Sequence, residues 1–72
     1  MTDKIIQIIS EVLETEVDAN VSQETCEEWD SLRHLNIMVA LEDAFDVSFE
    51  PEEMAEMKSV SAIEQMIQHK QS

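Results

Sequence analysis

The segment that decides the fold spans residues 29–45 and reads WDSLRHLNIMVALEDAF. Its apolar residues recur every three or four positions, which predicts an amphipathic helix from about Ser31 to Phe45. Asp30 or Ser31 can cap this helix, because a side-chain oxygen there can accept an unpaired N–H of the first turn. The segment therefore predicts a long helix that begins at a serine hydroxyl.

Helical spacing elsewhere predicts the rest of the fold. A first helix, capped by Thr2 or Asp3 and ending near residues 14–16, is indicated by a set of apolar residues: Ile5, Ile8, Ile9, Val12 and Leu13. Pro51 suits the first turn of a short helix ending near Met57, and Ser59 can cap a last helix. The predicted fold class is all-α, a small bundle of three main helices plus one short helix.

Length and composition limit what the chain can do. Its 72 residues predict a single domain, residues 1–72, and chains of this size bury only about 60% of their unfolded surface. That leaves a modest core and no room for a deep cleft between domains. A hydrophobic content of 43% is enough for a globular fold and too high for a disordered acidic tail.

The net charge of −13 indicates which classes of partner the protein can bind favourably. A strongly negative surface repels nucleic acid and anionic lipid, so we expect neither nucleic-acid binding nor membrane insertion. It favours proteins with basic docking surfaces, although the charge could also serve solubility alone. No secretory signal or spanning segment is visible, and we expect a cytoplasmic monomer.

No metal site is predicted. Cys26 is the sole cysteine, which excludes an intrachain disulfide and a thiolate cluster, and we interpret it as a loop or packing residue. The chain has no glycine and no regular spacing of acidic residues, so an EF-hand is excluded. The sequence places no second zinc ligand at a recognisable spacing from His34 or His69, and both are expected to be solvated or half-packed. A serine hydrolase is disfavoured, because nothing suggests an oxyanion hole near Ser31.

The long helix carries two apolar stripes. One is the expected core face: Ile37, Met38, Leu41 and Phe45. The other lies well away from it: Leu32, Leu35 and Val39. Either the first helix covers this second stripe, or the stripe is an exposed docking patch that begins one residue after Ser31.

The chain resembles the acyl carrier protein family over nearly all of its length. The residues that carry the resemblance are Asp30-Ser31-Leu32, residues 39–45, Val47 and Phe49 before Pro51, and Ser59-Val60. Family membership implies a carrier, not an enzyme. It also implies that Ser31 receives covalent 4′-phosphopantetheine from a phosphopantetheinyl transferase that recognises Asp30.

The resemblance also implies surfaces for partners and cargo. Acyl-transferring or acyl-processing enzymes would contact Leu32, Leu35, Val39, Glu42 and Asp43. The acyl chain would fold back into a pocket lined by Met38, Leu41, Phe49, Met54, Met57 and Ile63. These bulky, adaptable side chains lead us to expect a shallow pocket for short or polar acyl groups.

Some positions depart from the common family pattern. Glu28 stands where glycine is common, Arg33 and His34 replace acidic or neutral polar residues, and Asn36 replaces a frequent glutamate. These departures suggest a specialised carrier, for polyketide, lipid or polysaccharide biosynthesis, more than the housekeeping carrier of fatty acid biosynthesis. Two alternatives remain open: a peptidyl or aminoacyl carrier, and a helical interaction adaptor whose Ser31 is never modified.

Overall fold

The computed structural model describes residues 1–71, and these form a helical bundle. Its helices are α1 (Thr2–Leu13), α2 (Ser31–Phe45), α3 (Pro51–Glu56) and α4 (Val60–Gln71). The prediction of three main helices and one short helix is confirmed. Within residues 1–71 there is no β-sheet, only an isolated antiparallel bridge between Ser22 and Ser59.

The start of α1 differs from the prediction. Met1 is the N-cap and no side chain caps the helix, so the assignment of Thr2 or Asp3 to that position was wrong. The Thr2 hydroxyl donates instead to the carboxylate of Glu64 on α4. A long-range contact therefore takes the side chain that local pattern assigned to capping.

The caps of α2 and α4 agree with the prediction. The Asp30 carboxylate accepts the Arg33 N–H at 2.8 Å, and Ser59 Oγ accepts the Ala62 N–H at 3.1 Å. Each side-chain oxygen satisfies one first-turn donor that the helix leaves unpaired. The first residue of α2 is consequently held in a defined position.

Two helices end on non-glycine residues in the left-handed region. Glu14 has φ 57° and Asp46 has φ 55°, and they follow α1 and α2 directly. Their N–H groups close the last turns by donating to the carbonyls of Ser10 and Glu42. This conformation costs roughly 1 kcal/mol for a residue with a Cβ, so both turns are maintained by the packing around them.

The core is formed by one face of each long helix and by side chains from the connections. Its buried members are Ile5, Ile9, Leu13, Val21, Trp29, Ile37, Met38, Leu41, Phe49, Met57, Val60, Ile63 and Ile67. The polar side chain of His34 is buried among them. The expectation that His34 is solvated or half-packed was therefore wrong.

The connection between α1 and α2 is anchored near its end and in its middle. Trp29 is 1% exposed, which fixes the segment just before α2. Farther back, the Gln23 N–H donates to the Lys58 carbonyl at 2.8 Å, joining this loop to the α3–α4 connection. Among the helices of residues 1–71, none has the length and apolar character needed to cross a membrane.

Candidate functional site

Ser31 is the first residue of α2, and its side chain is exposed. The preceding residue, Asp30, is extended, and it accepts two hydrogen bonds from the first turn of α2. Its carboxylate accepts the Arg33 N–H, and its carbonyl accepts the His34 N–H at 2.8 Å. The earliest N–H groups of α2 are then left for a ligand, next to a hydroxyl that reaches solvent.

The second apolar stripe of α2 faces solvent. Leu32 is 70% exposed, Leu35 is 54% exposed and Val39 is 62% exposed. The interpretation in which α1 covers this stripe is therefore wrong, since α1 packs against the opposite face. We call these residues the outer stripe, and it begins directly beside Ser31.

The acidic residues at the far end of the outer stripe differ in their surroundings. Glu42 is half-buried, and its carboxylate accepts the Phe49 N–H at 2.8 Å. Asp43 is exposed. Of the predicted contact residues, Glu42 thus has a role inside the chain, whereas Asp43 is available on the surface.

Arg33 turns away from the outer stripe. Its Nη1 donates to the Leu13 carbonyl at 3.0 Å, at the last residue of α1. A guanidinium there satisfies a helix-terminal acceptor and opposes the partial negative charge of the α1 C-terminus. The side chain therefore links the start of α2 to the end of α1.

His34 is the centre of a buried hydrogen-bond chain. The Trp29 Nε1–H donates to His34 Nδ1 at 2.8 Å, and His34 Nε2 lies 2.7 Å from the Met54 carbonyl oxygen. The two rings are stacked, with centroids 5.9 Å apart and planes inclined at 27°. These hydrogen bonds connect Trp29, two residues before Ser31, to Met54 in α3.

This hydrogen-bond network was not predicted from the sequence, although the sequence contains one signal for it. His34 precedes Ile37, Met38 and Leu41 by three, four and seven positions, which is the spacing of one helix face. Its phase on the helix could therefore have placed it in the core. Its partner in α3 could not be found this way, because Met54 lies 20 residues away.

The predicted pocket residues lie together in and around the core. Met38, Leu41, Met57 and Ile63 are 0% exposed, and Phe49 is 6% exposed. Met54 is half-buried and packs against them. A cavity of about 270 Å³ beside the α3–α4 connection is lined by Met57 and Met66.

Metal-binding geometry is not found in the part of the chain that the structure describes. No group of three or more His, Cys, Asp or Glu side chains among residues 1–71 is arranged to hold an ion. Cys26 is half-buried, and its thiol donates to the Glu28 carboxylate at 3.4 Å. This contact fits a loop residue.

Comparison with known proteins defines the family. The sequence pattern of the phosphopantetheine attachment site family matches residues 3–67. The fold is similar to the solution structure of the holo acyl carrier protein of Geobacter metallireducens, with a TM-score of 0.82 and 25% identity. That match covers 96% of this chain and 83% of the other. Comparison with curated protein sequences gives no significant match.

The chain belongs to the phosphopantetheine attachment site family and has the fold of an acyl carrier protein. Its cofactor is covalent 4′-phosphopantetheine, and it is a carrier rather than an enzyme. These conclusions confirm the family resemblance noted in the sequence. When attached, the group supplies a flexible arm that ends in a thiol.

The start of α2 fits such a group. A phosphodiester needs an exposed hydroxyl for attachment and an environment that tolerates negative charge. Ser31 offers the hydroxyl, and the N-terminal end of a 15-residue helix offers free N–H groups and a partial positive charge. The Asp30 carboxylate accepts the Arg33 N–H, so it occupies one first-turn donor and leaves the earlier N–H groups, beside Ser31, to a phosphate.

Proposed function

We propose that this chain carries acyl intermediates as thioesters on a 4′-phosphopantetheine arm attached to Ser31, and presents them to pathway enzymes. One observation carries the proposal: an exposed serine begins α2, and an exposed apolar stripe begins at the next residue. An attachment point and a docking surface on one helix are what a carrier requires. Asp30, which holds the first turn, takes part in recognition by the transferase.

The modification is tested by co-expression with a broad-specificity phosphopantetheinyl transferase and intact-mass measurement. We expect a mass gain of one 4′-phosphopantetheinyl group that is absent in Ser31→Ala. Ser61→Ala is the matched control, because Ser61 is also an exposed serine in the first turn of a helix. A gain that persists in Ser31→Ala would contradict the assignment of Ser31.

Partner enzymes bind the outer stripe with an apolar contact surface, and basic side chains at its edge meet Asp43. The exposure of Leu32, Leu35 and Val39 supports the first part, and the net charge of −13 supports the second. Glu42 contributes less to docking than the family pattern implies, because its carboxylate is engaged by Phe49. A cytoplasmic location for these encounters stays a prediction.

Acyl cargo is favoured over an aminoacyl group. High acidity and the absence of a Gly-Gly pair before Asp30 argue against a peptidyl carrier. Mass spectrometry of the thioester formed in cells separates these possibilities. An amino acid on the arm would favour the peptidyl carrier, and an unmodified protein under every transferase would favour an interaction adaptor.

We infer that the chain serves a specialised pathway, but the structure removes part of the sequence argument for this. Arg33 and His34 contact their own chain, so they are no argument for dedicated partners. Asn36 does lie exposed beside the outer stripe, where the family commonly has a glutamate. The test is to measure how efficiently a malonyl transferase of fatty acid synthesis loads this protein. Loading as efficient as that of a housekeeping carrier would contradict a specialised role.

A further inference from the structure

The short helix α3 has little packing of its own. Within residues 51–56, all of them described, no side chain is fully buried. The flanking side chains of Phe49 and Met57 enter the core, so the helix lies across the surface between two anchored ends. A six-residue helix is unstable alone, and its position depends on specific contacts with its neighbours.

Polar contacts tie α3 to the longer helices on both sides. Lys70 of α4 forms a salt bridge with Glu53, with Nζ and Oε1 2.7 Å apart. On the other side, His34 of α2 contacts the Met54 carbonyl. The Lys70–Glu53 pair is partly exposed and weak, whereas the contact with Met54 is made by the buried side chain of His34.

The hydrogen bonds of His34 define its protonation. An indole N–H can only donate, so Nδ1 must be the acceptor for Trp29. The ring proton is then on Nε2, which donates to the Met54 carbonyl. Both ring nitrogens are satisfied in this neutral tautomer, and breaking the contact would leave Nε2 of the buried His34 ring without its acceptor.

The contact between His34 and Met54 lies close to Ser31 in the sequence and in the fold. His34 is in the first turn of α2, three residues after Ser31, and Trp29 lies two residues before it. The contact with Met54 therefore joins α2 and α3 at the end of α2 where the arm begins. An acyl chain that folded back from the arm into the space between α2 and α3 would meet this contact first.

We propose that Trp29 and His34 are specificity-determining residues that exclude long acyl chains from the space between α2 and α3. They hold α3 against the start of α2, so that the cargo of this carrier stays outside the bundle. This inference rests on the proposed attachment at Ser31. Moving α3 away from α2 breaks the His34–Met54 hydrogen bond, and this disfavours the open state by a factor on the order of ten.

The first test needs no arm and uses the unmodified protein. His34→Ala removes both hydrogen bonds, and Trp29→Phe removes only the indole donor while keeping an aromatic ring in place. We expect amide hydrogen exchange of residues 51–57 to become at least about fivefold faster in both, while exchange in α4 is unchanged. Leu35→Ala, on the outer face of the same helix, is the matched control and should leave α3 exchange unaltered.

The second test uses protein whose octanoyl-phosphopantetheine loading is verified by intact mass. The rate of thioester cleavage by hydroxylamine is compared with that of free octanoyl-pantetheine. We expect the wild-type rate to equal the free rate within about twofold, and the rate in His34→Ala and Trp29→Phe to fall as the chain enters the bundle. Rescue by a variant that restores a bond, His34→Gln, would separate the hydrogen bonds from simple volume.

The two tests distinguish a failure of this inference from a failure of the proposed function. Slow cleavage in the wild-type protein would show that octanoyl is already sequestered, and would overturn the inference while leaving the proposed function intact. Unchanged exchange of residues 51–57 in both variants would also overturn it, because α3 would then not depend on the His34 contact. A protein that gains no mass would instead contradict the attachment at Ser31, and the exchange experiment would still test the contact.

Discussion

The two faces of α2 reverse the usual distribution of residues near Ser31. The outward face presents Leu32, Leu35 and Val39 to solvent, whereas the inward face places His34 in the core. Exposed apolar side chains contribute little to the stability of the isolated chain, whereas a buried histidine needs a partner for each ring nitrogen. The difference agrees with the proposed role of the outer face as a contact surface for other molecules, whereas the inner face holds α3 against the start of α2.

The comparison is tested most strongly by one substitution on each face. Leu41→Ala removes a fully buried side chain and should lower the free energy of unfolding by about 2–5 kcal/mol. Leu35→Ala is the same chemical change on the outer face, and should alter it by no more than about 0.5 kcal/mol. Urea denaturation followed by circular dichroism measures both. Similar losses in the two variants would mean that the outer stripe is structural.

The hydrogen-bond chain of the inner face is tested by Trp29→Phe. The phenyl ring retains most of the packing, but His34 Nδ1 loses its donor. Because a buried acceptor without a partner is costly, we expect a loss of about 1–3 kcal/mol in the free energy of unfolding. The measurement is chemical denaturation at fixed pH. A neutral effect would show that the indole hydrogen bond contributes no net stability.

The link between α1 and α2 is tested by Arg33→Met. This change removes the hydrogen bond to the Leu13 carbonyl and the positive charge at the end of α1, and should cost about 1 kcal/mol. Lys58→Met is the control, because it removes one positive charge from an exposed side chain. Thermal unfolding of the two variants then separates the contact from the change in net charge. An equal shift in both would assign the effect to charge alone.

The smallest effect concerns the other side of α3 and depends on pH. The Glu50 N–H, and then the hydrogen bond from Lys70, lower the pKa of Glu53 below its ordinary value. The carboxylate of folded Glu53 therefore contributes stability at pH values above the ordinary range of glutamate, and this is lost as the pH falls through the lowered folded-state pKa. Carboxyl NMR titration measures the pKa directly.

A variant pair checks that this effect is local to Glu53. In Glu53→Gln, hydrogen exchange of residues 51–57 should lose part of its dependence on acidic pH. Glu56→Gln removes the same charge from the other end of α3 and should keep the wild-type dependence. An identical pH response in both variants would attribute the effect to the overall charge of the protein.

Part of the site was predictable because its determinants are local in sequence. The spacing of Ile37, Met38 and Leu41 defines the inner face of α2, and Asp30 caps the helix through a donor three residues away. Ser31 follows from that cap. The N-cap of α1 was mispredicted, because the Thr2 hydroxyl has a partner on α4.

The sequence by itself determined the helices, the two stripes of α2 and the serine at its start, because these depend on periodicity and on neighbours within one turn. Only the tertiary structure decided that the outer stripe is exposed and that Arg33, His34 and Glu42 serve their own chain. The contacts of Arg33 and His34 with Leu13 and Met54 span 20 residues each. Such contacts depend on how helices meet in space, which local pattern does not encode.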